Sequence, residues 1–335
     1  MKLVSGGTGL LGSHLLYELS QGSDHIRAIY RRKSGIEKTR QIFSYYGNGH
    51  GELFNKIEWV RADVLDICKL EEVCRGVKEV YHCAAVVSFD RKKHDVMYKT
   101  NVEGTANMLN AAIHSGVEKF CHVSSIASFG RPEDSENTIN EKVQREENSR
   151  SSVYSISKYQ AELEVWRAVE EGLNAVIINP STIIGSGNWD SGSSALFTKV
   201  AKGLSYYTEG VNGFVDVRDV VGIMKALMEK NIFREQFILV SENLSFRDLI
   251  SYMADGLGLS EPRIRASKVL SALAWRLDVM KSSLLGTDPV ITKESARIAL
   301  DRQFYSSEKV KERLQMEFIP IRQSILEASR NFNLA

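Results

Sequence analysis

The sequence predicts an α/β protein: a doubly wound parallel sheet with a smaller, mainly helical C-terminal domain. Three observations predict it. A short apolar strand at Leu3-Val4 runs into a glycine cluster, Gly6-Gly7-Thr8-Gly9-Leu10-Leu11-Gly12. A helical pattern follows with Leu11, Leu15, Leu16 and Leu19 on one side. Up to residue 187, strand-length apolar runs alternate with helix-length runs, the spacing that right-handed crossovers turn into a parallel sheet covered on both faces. After Gly185-Ser186-Gly187 the alternation becomes irregular and most of the chain reads as helix. The expected division is 1–187 and 188–335, with 213–243 returning to the first sheet.

The chain has 335 residues, enough for one large domain or two ordinary ones, and 43% are hydrophobic, enough for a sizeable core. Its 43 basic and 42 acidic side chains leave a formal charge of +1, so there is no bulk field to draw in nucleic acid or an anionic membrane. Cys68, Cys74, Cys83 and Cys121 form no C-x-x-C pair and have no His at metal-ligand spacing. They read as free thiols of a reducing compartment, and no metal is expected. A strand that starts at Lys2 leaves no room for a signal peptide. No apolar run approaches the roughly 18 residues needed to span a membrane. The expectation is a cytoplasmic protein without an integral membrane segment.

Strand, glycine turn and helix start together form the dinucleotide-binding fingerprint. Gly7, Gly9 and Gly12 satisfy G-x-G-x-x-G; Gly6, Gly9 and Gly12 satisfy G-x-x-G-x-x-G. Glycines permit the tight turn and let backbone N–H groups approach a pyrophosphate, for which the helix N-terminus offers unpaired donors. The second strand, His25–Tyr30, ends in Arg31-Arg32-Lys33-Ser34. A carboxylate near this point takes a ribose 2′-hydroxyl, whereas an Arg accommodates a 2′-phosphate. The basic end therefore points to NADP(H) over NAD(H), with a solvated basic turn as the plain alternative.

Residues 35–56 read as helix and loop, and 57–64 as a third strand whose Asp63 can accept from an adenine amino group. A short helix at 70–76 precedes the fourth strand, Val80-Tyr81-His82-Cys83-Ala84-Ala85. Its two alanines either leave room for a flat ligand or simply pack closely. A helix spans Asn101 to Ala112, the fifth strand ends in Ser124-Ser125, and 131–150 is a polar surface loop. A long helix, 152–171, leads to the sixth strand, 175–180. Beyond it come a helix at 193–203, a strand and capped helix at 213–221, a strand at 236–240 and a helix at 246–256 begun by Ser245. Residues 267–285 form an amphipathic helix carrying Val269, Leu270, Ala272, Leu273, Trp275 and Leu277, which could line a pocket, pack as core or lie on a membrane surface.

The chemistry concentrates in Tyr154-Ser155-Ile156-Ser157-Lys158. Tyr154 and Lys158, at i and i+4, share a helix face with Ala161, Val165 and Ala168. A lysine on an apolar stripe carries an energetic cost that a function would justify. A nearby ammonium favours phenolate, so Tyr154 is expected to exchange a proton near neutral pH. Ser125 can hydrogen-bond the same substrate oxygen and stabilise developing charge there.

These stretches resemble the extended short-chain dehydrogenase/reductase family. That group includes NAD-dependent epimerase/dehydratases, dihydroflavonol-4-reductase-like enzymes and 3β-hydroxysteroid dehydrogenases. The resemblance runs from Lys2 to about Asp219 and more weakly to the end. It rests on Ser5–Gly12, Asp63-Val64, His82–Ala85, Asn101–Thr105, Ser124-Ser125, Tyr154 with Lys158, Asn179-Pro180-Ser181 and Phe214–Val220. It implies a Rossmann-type fold in which Tyr154 donates or accepts the proton, Lys158 also holds the nicotinamide ribose, and Ser125 binds the reacting carbonyl or alcohol. The implied cofactor contacts are Gly6, Thr8, Gly9, Leu10, Leu11 and Gly12, then Arg31 and Arg32, Asp63 and Val64, Ala84 and Ala85, and Asn101. Ser124, Tyr154, Lys158, Pro180, Thr182 and Ile183 complete the set.

The chain departs from subgroups. Arg31 stands where sugar epimerases usually carry Asp. Ile126-Ala127 replace the dehydratases' Asp-Glu pair, and Gly130 replaces the Asn that holds the flavonoid in plant reductases. The expectation is an NADP-dependent enzyme reducing a small-molecule carbonyl. The alternatives are a nucleotide-sugar epimerase and a non-catalytic NADP-binding regulator. Family members pair two helices across a dimer interface. Ile156, Tyr159, Leu163 and Trp166 on one helix, with Gly104, Met108 and Ala111 on the other, lead to the expectation of a homodimer. Cover by the 131–150 loop is the alternative.

Overall fold

Seven parallel strands form the central sheet of the computed structural model, which describes residues 1–47, 49–88, 90–129, 138–143, 145, 151–285 and 292–333. Gly130 and 13 of the 20 residues of the 131–150 loop lie outside the described residues. The first half-sheet is built from β1 (Lys2–Ser5), α1 (Leu10–Ser20), β2 (Ile26–Tyr30), α2 (Lys33–Ser44), α3 (His50–Asn55) and β3 (Ile57–Arg61). The chain then crosses through α4 (Ile67–Cys74) to β4 (Glu79–His82) on the other side of β1. It continues through α5 (His94–Tyr98), a π-helical turn (Lys99–Glu103) and α6 (Gly104–His114) to β5 (Lys119–Val123). α7 (Val153–Glu170) and β6 (Asn174–Pro180) follow.

The chain continues with β7 (Thr182–Ile184), α8 (Ala195–Ala201), β8 (Tyr206–Tyr207), β9 (Val211–Asp216) and α9 (Val217–Glu229). It continues with β10 (Glu235–Leu239), β11 (Glu242–Ser245), α10 (Phe246–Gly256), β12 (Ile264–Arg265) and α11 (Lys268–Leu285). α12 (Lys293–Ile298), α13 (Glu308–Leu314) and α14 (Ile321–Asn333) close the chain.

The central sheet runs β10-β6-β5-β4-β1-β2-β3, so strand order reverses between β1 and β4. In a doubly wound sheet that reversal opens a crevice at the carboxyl ends of those strands. One face is covered by α1 and α9, with Leu15, Leu16, Val220 and Met224 against Val4 and Ile178. The other is covered by α4, α6 and α7, with Leu70, Leu109 and Val165 against Leu3 and Ile177. Of the 213–243 stretch, β10 joins the central sheet beside β6, whereas β9 lies in a separate three-stranded sheet, β11-β9-β7. β7, before residue 187, thus pairs with β9, beyond it. A third core, built on Phe197, Leu249, Met253 and Ile325, belongs to α8, α10 and α14.

Four local results differ from the sequence reading. β3 stops at Arg61: Ala62 N still donates to Tyr30 O at 3.1 Å, and then Asp63 turns the chain, its carbonyl accepting from Asp66 N at 3.0 Å. α4 begins at Ile67 rather than 70, because Asp66 caps it by accepting from Lys69 N at 3.0 Å. The Gly104, Met108 and Ala111 stripe does not face outward. Met108 and Ala111 belong to the core, and a Cβ on Gly104 would stand 2.5 Å from Val64 Cγ2. On α11, Leu270, Leu273 and Leu277 are all exposed, which rules out a core role for that face.

Three histidines are buried: His14, His82 and His122. Burial lowers His14 to about 4 and His82 to about 3, and drives His122 well below its ordinary value, with Lys158 and His82 adding repulsion. Neither ring nitrogen of His122 has a hydrogen-bond partner among the described residues. The unfolded chain therefore takes up protons that the fold refuses. Stability should be complete above about pH 6.5 and decline as pH falls, by about 2 kcal/mol for each of His14 and His82 at pH 5. Urea unfolding of His122→Leu at pH 7.5 and 5 should show the variant gaining on wild type at the lower pH; an equal gap at both would refute a neutral His122.

Candidate active site

The glycine turn is fixed by close approaches. Gly6 has φ +67°, and a Cβ there would lie 2.6 Å from Ala84 N at the end of β4. A Cβ on Gly12 would lie 2.2 Å from Gly6 O, so this glycine sets how closely α1 sits against its own loop. α2 closes in from the other side: a Cβ on Gly35 would meet Thr8 Cβ at 2.8 Å.

The turn forms one wall of a cleft of about 210 Å³. Of the sequence-predicted residues, Gly6, Thr8, Gly9, Arg31, Val64, Ala84 and Ala85 line it. Ile29, Tyr30, Ala62, Cys83 and Thr100 also line it, although sequence reasoning missed them. Their one available signal was position, since most flank residues already chosen at strand ends. Arg31 is exposed at the rim and makes no hydrogen bond or ion pair among the described residues.

The other predicted contacts are placed differently. Gly12 and Leu11 are buried within α1, and Leu10 packs where a Cβ on Gly187 would otherwise reach. Arg32 is the exposed N-cap residue of α2. Asp63 Oδ1 accepts from Leu65 N at 3.1 Å. Asn101, in the π-helical turn, is 1% exposed, and its amide is used inside the chain. Its Oδ1 accepts from Val86 N at 2.7 Å, while Nδ2 donates to Val86 O and Ser157 Oγ, both at 3.0 Å. Pro180 is buried at the end of β6. Thr182 Oγ1 accepts from Asn212 Nδ2 at 3.2 Å, and Ile183 packs against the core.

Ser125, Tyr154 and Lys158 come together where β5 meets α7. Ser152 caps α7 by accepting from Ser155 N at 2.9 Å, which orients the first turn carrying Tyr154. The half-buried Tyr154 phenol stands beside Ser125, which draws its pKa down. Lys158 is only 2% exposed, and its ammonium donates to Val123 O at 2.8 Å, one residue before Ser124. Burial lowers Lys158 to about 8, while Glu162 and Cys83 push it back up.

Here the structure corrects the sequence reading. Burial raises the Tyr154 phenol above its ordinary value, and Ser125 rather than Lys158 is what pulls it down. The ammonium is committed to the Val123 carbonyl. Ser124, expected as a cofactor contact, instead donates through Oγ to the buried carboxylate of Glu162. Glu162 itself escaped the sequence reading, although its place four residues after Lys158 puts it on the same helix face.

A sequence model of the NAD dependent epimerase/dehydratase family matches residues 2–238, about 71% of the chain. The chain belongs to that family. It is 27% identical over 335 residues to a putative dihydroflavonol 4-reductase of Synechocystis sp., covering 97% of this chain and 92% of the relative. It is 26% identical to sterol demethylase protein B of Methylococcus capsulatus, covering 78% of this chain and 76% of that one. The crystal structure of gox2253 superposes with a TM-score of 0.79 at 27% identity, covering 100% of this chain and 98% of the other. The UDP-glucuronic acid 4-epimerase of Bacillus cereus in complex with NAD gives 0.75 at 20% identity over 99% and 96%, a likeness of fold. Members of this NAD(P)-dependent family are oxidoreductases, epimerases and dehydratases, which supports an enzyme here. Among the described residues, no helix is long and apolar enough to cross a membrane.

Proposed function

We propose that this protein reduces a small-molecule aldehyde or ketone with NADPH, using Ser125, Tyr154 and Lys158. The observation that carries the reading is Tyr154 beside Ser125 on the helix face that also buries Lys158, next to a cleft whose rim ends in an unpaired Arg31. The residues fit a dinucleotide: a Cβ at Gly6 would strike the neighbouring strand, and the glycine wall is bare backbone. Gly6, Thr8, Gly9 and Ala84 would hold the pyrophosphate and adenosine side. Arg31 would meet the 2′-phosphate, and Lys158 the nicotinamide ribose. When bound, the cofactor supplies the hydride.

The chain's own residues then act on the carbonyl oxygen. Ser125 Oγ donates to it and fixes its position. Tyr154 keeps its proton in the free protein because burial raises the phenol, so it is ready as a general acid in the reductive direction. Ser125, which already draws the phenol down, stabilises the phenolate left behind. The relatives described as reductases support this direction over epimerisation.

Self-association belongs to the same proposal, in reduced form. With Gly104, Met108 and Ala111 buried inside the chain, the outward apolar face consists of Leu163 on α7 with Val96 and Tyr98 on α5. Sedimentation at micromolar concentration should show a dimer that Leu163→Glu dissociates; a monomeric wild type would exclude it.

Tyr154→Phe should retain cofactor affinity and lose about 10²- to 10⁴-fold in turnover with any accepted carbonyl, since only proton transfer is removed. Activity within a few-fold of wild type would exclude Tyr154 as the acid. For Arg31, a guanidinium–phosphate contact is worth about ten- to a hundredfold in affinity. Fluorescence titration should give NADPH at least about tenfold tighter binding than NADH, and Arg31→Ala should remove most of that difference. Equal affinities in wild type would shift the weight to an epimerase, which regenerates its own cofactor and needs no such preference.

A further inference from the structure

We propose that Glu162 is the positioning residue that keeps Lys158 charged and locks the Ser124-Ser125 strand end in register with α7. The inference rests on the site reading above and adds a residue to it. Tyr154, Lys158 and Glu162 stand at i, i+4 and i+8 on one face of α7. Glu162 is 4% exposed, deeper in the protein than Tyr154.

Four elements converge on its carboxylate. Oε1 accepts from Ser124 Oγ at the end of β5 and from Asn179 Nδ2 of β6 at 2.6 Å. Ser128, in the turn Ile126–Phe129, also draws the carboxyl's pKa down, while its Oγ donates to Ser125 O at 2.9 Å. Oε2 accepts from Gln236 Nε2 of β10 at 3.2 Å. Asn179 Nδ2 in turn lies 3.0 Å from Ser125 O. A protonated acid would place its own hydrogen among these donors, whereas a carboxylate offers acceptor sites to all of them. Burial raises Glu162 above the ordinary carboxylate value, and these donors together with Lys158 offset part of the rise.

The charge argument follows from what else faces Lys158. The titratable groups that interact with it are Glu162 on α7, Cys83 and His82 at the end of β4, and His122 on β5. Burial holds both histidines neutral and pushes the Cys83 thiol up to about 12. Glu162 is therefore the one anion in that set at neutral pH. Without it, a fully buried ammonium would face only a carbonyl and neutral groups, and it would lose its proton at lower pH.

The experiment is a fluorescence titration of NADPH against the whole protein between pH 6 and 10, a binding readout independent of turnover. In wild type, affinity should fall as Lys158 deprotonates, with a limb near pH 8. Glu162→Gln, which keeps the shape but removes the charge, should move that limb down by about one pH unit or more while leaving affinity at pH 6 within about threefold. Gln236→Ala removes one donor and keeps the carboxylate, and its limb should stay with wild type. A Glu162→Gln limb coincident with wild type, or a uniform loss at every pH, overturns the proposal but leaves the Ser-Tyr-Lys reading standing. A wild type that binds no NADPH overturns both. If Glu162→Gln does not fold, Glu162→Asp decides: its limb should stay with wild type because the charge remains, and a limb displaced by a full unit overturns the proposal.

Discussion

A lysine ammonium held out of water organises the centre of this protein. Lys158 donates to the Val123 carbonyl, and so joins the long helix α7 to the last residue of β5. A charge at 2% exposure is tolerable only if its surroundings are arranged for it. Around it lies a polar layer beneath an otherwise apolar helix–sheet interface. His82 bridges Ser5 Oγ at 2.8 Å and Thr105 Oγ1 at 3.1 Å; Asn101 reaches Ser157; Glu162 gathers the hydroxyls of the β5 turn. Hydrogen bonds in such a layer strengthen in low dielectric, and the same dielectric penalises any member left unpaired. Tyr154 therefore stands on a helix anchored by this layer rather than on a loop.

The cleft and the Ser125, Tyr154 and Lys158 cluster occupy the two sides of one topological event. Because the strand order reverses between β1 and β4, the carboxyl ends of both strands are free of crossing connections. Gly6 needs that freedom, since its backbone lies against Ala84 N and Cys83 O. The same constraint explains the small residues at the end of β4: the chain there must leave room first for the glycine turn itself. Close packing and ligand space, which the sequence poses as alternatives for Ala84, are served by one residue.

Much of the architecture was legible because it repeats a simple period. The parallel strands, the crossover helices and the Ser245 cap of α10 follow from apolar spacing and local cap chemistry. Tyr154 and Lys158 were legible because i and i+4 define a helix face. What escaped depended on tertiary burial. Whether Gly104, Met108 and Ala111 point in or out cannot be read from a helix with apolar residues on more than one side; the approach of Val64 decides it. The direction of the Tyr154 shift escaped for the same reason, since desolvation has no sequence period. Asn101 was legible as important, but its use in clamping Val86 to Ser157 depends on a π-helical turn that the spacing does not announce.

The strand exchange between the two sheets bears on how such a protein can diversify. From β6 the chain passes to β7 in the small sheet, returns through α9 and β10, leaves again for β11, and sends α13 back to the first core before α14 ends in the third. His14 of α1 reaches across to Ser186 O at 2.8 Å, and Ser181 N donates to Leu239 O at 3.0 Å. The two halves are woven rather than joined by a linker. No single cut in the gene separates them, so neither half can be exchanged whole by one recombination event. New specificity in this architecture has to arise in place, through substitutions and insertions in the segments between the crossings.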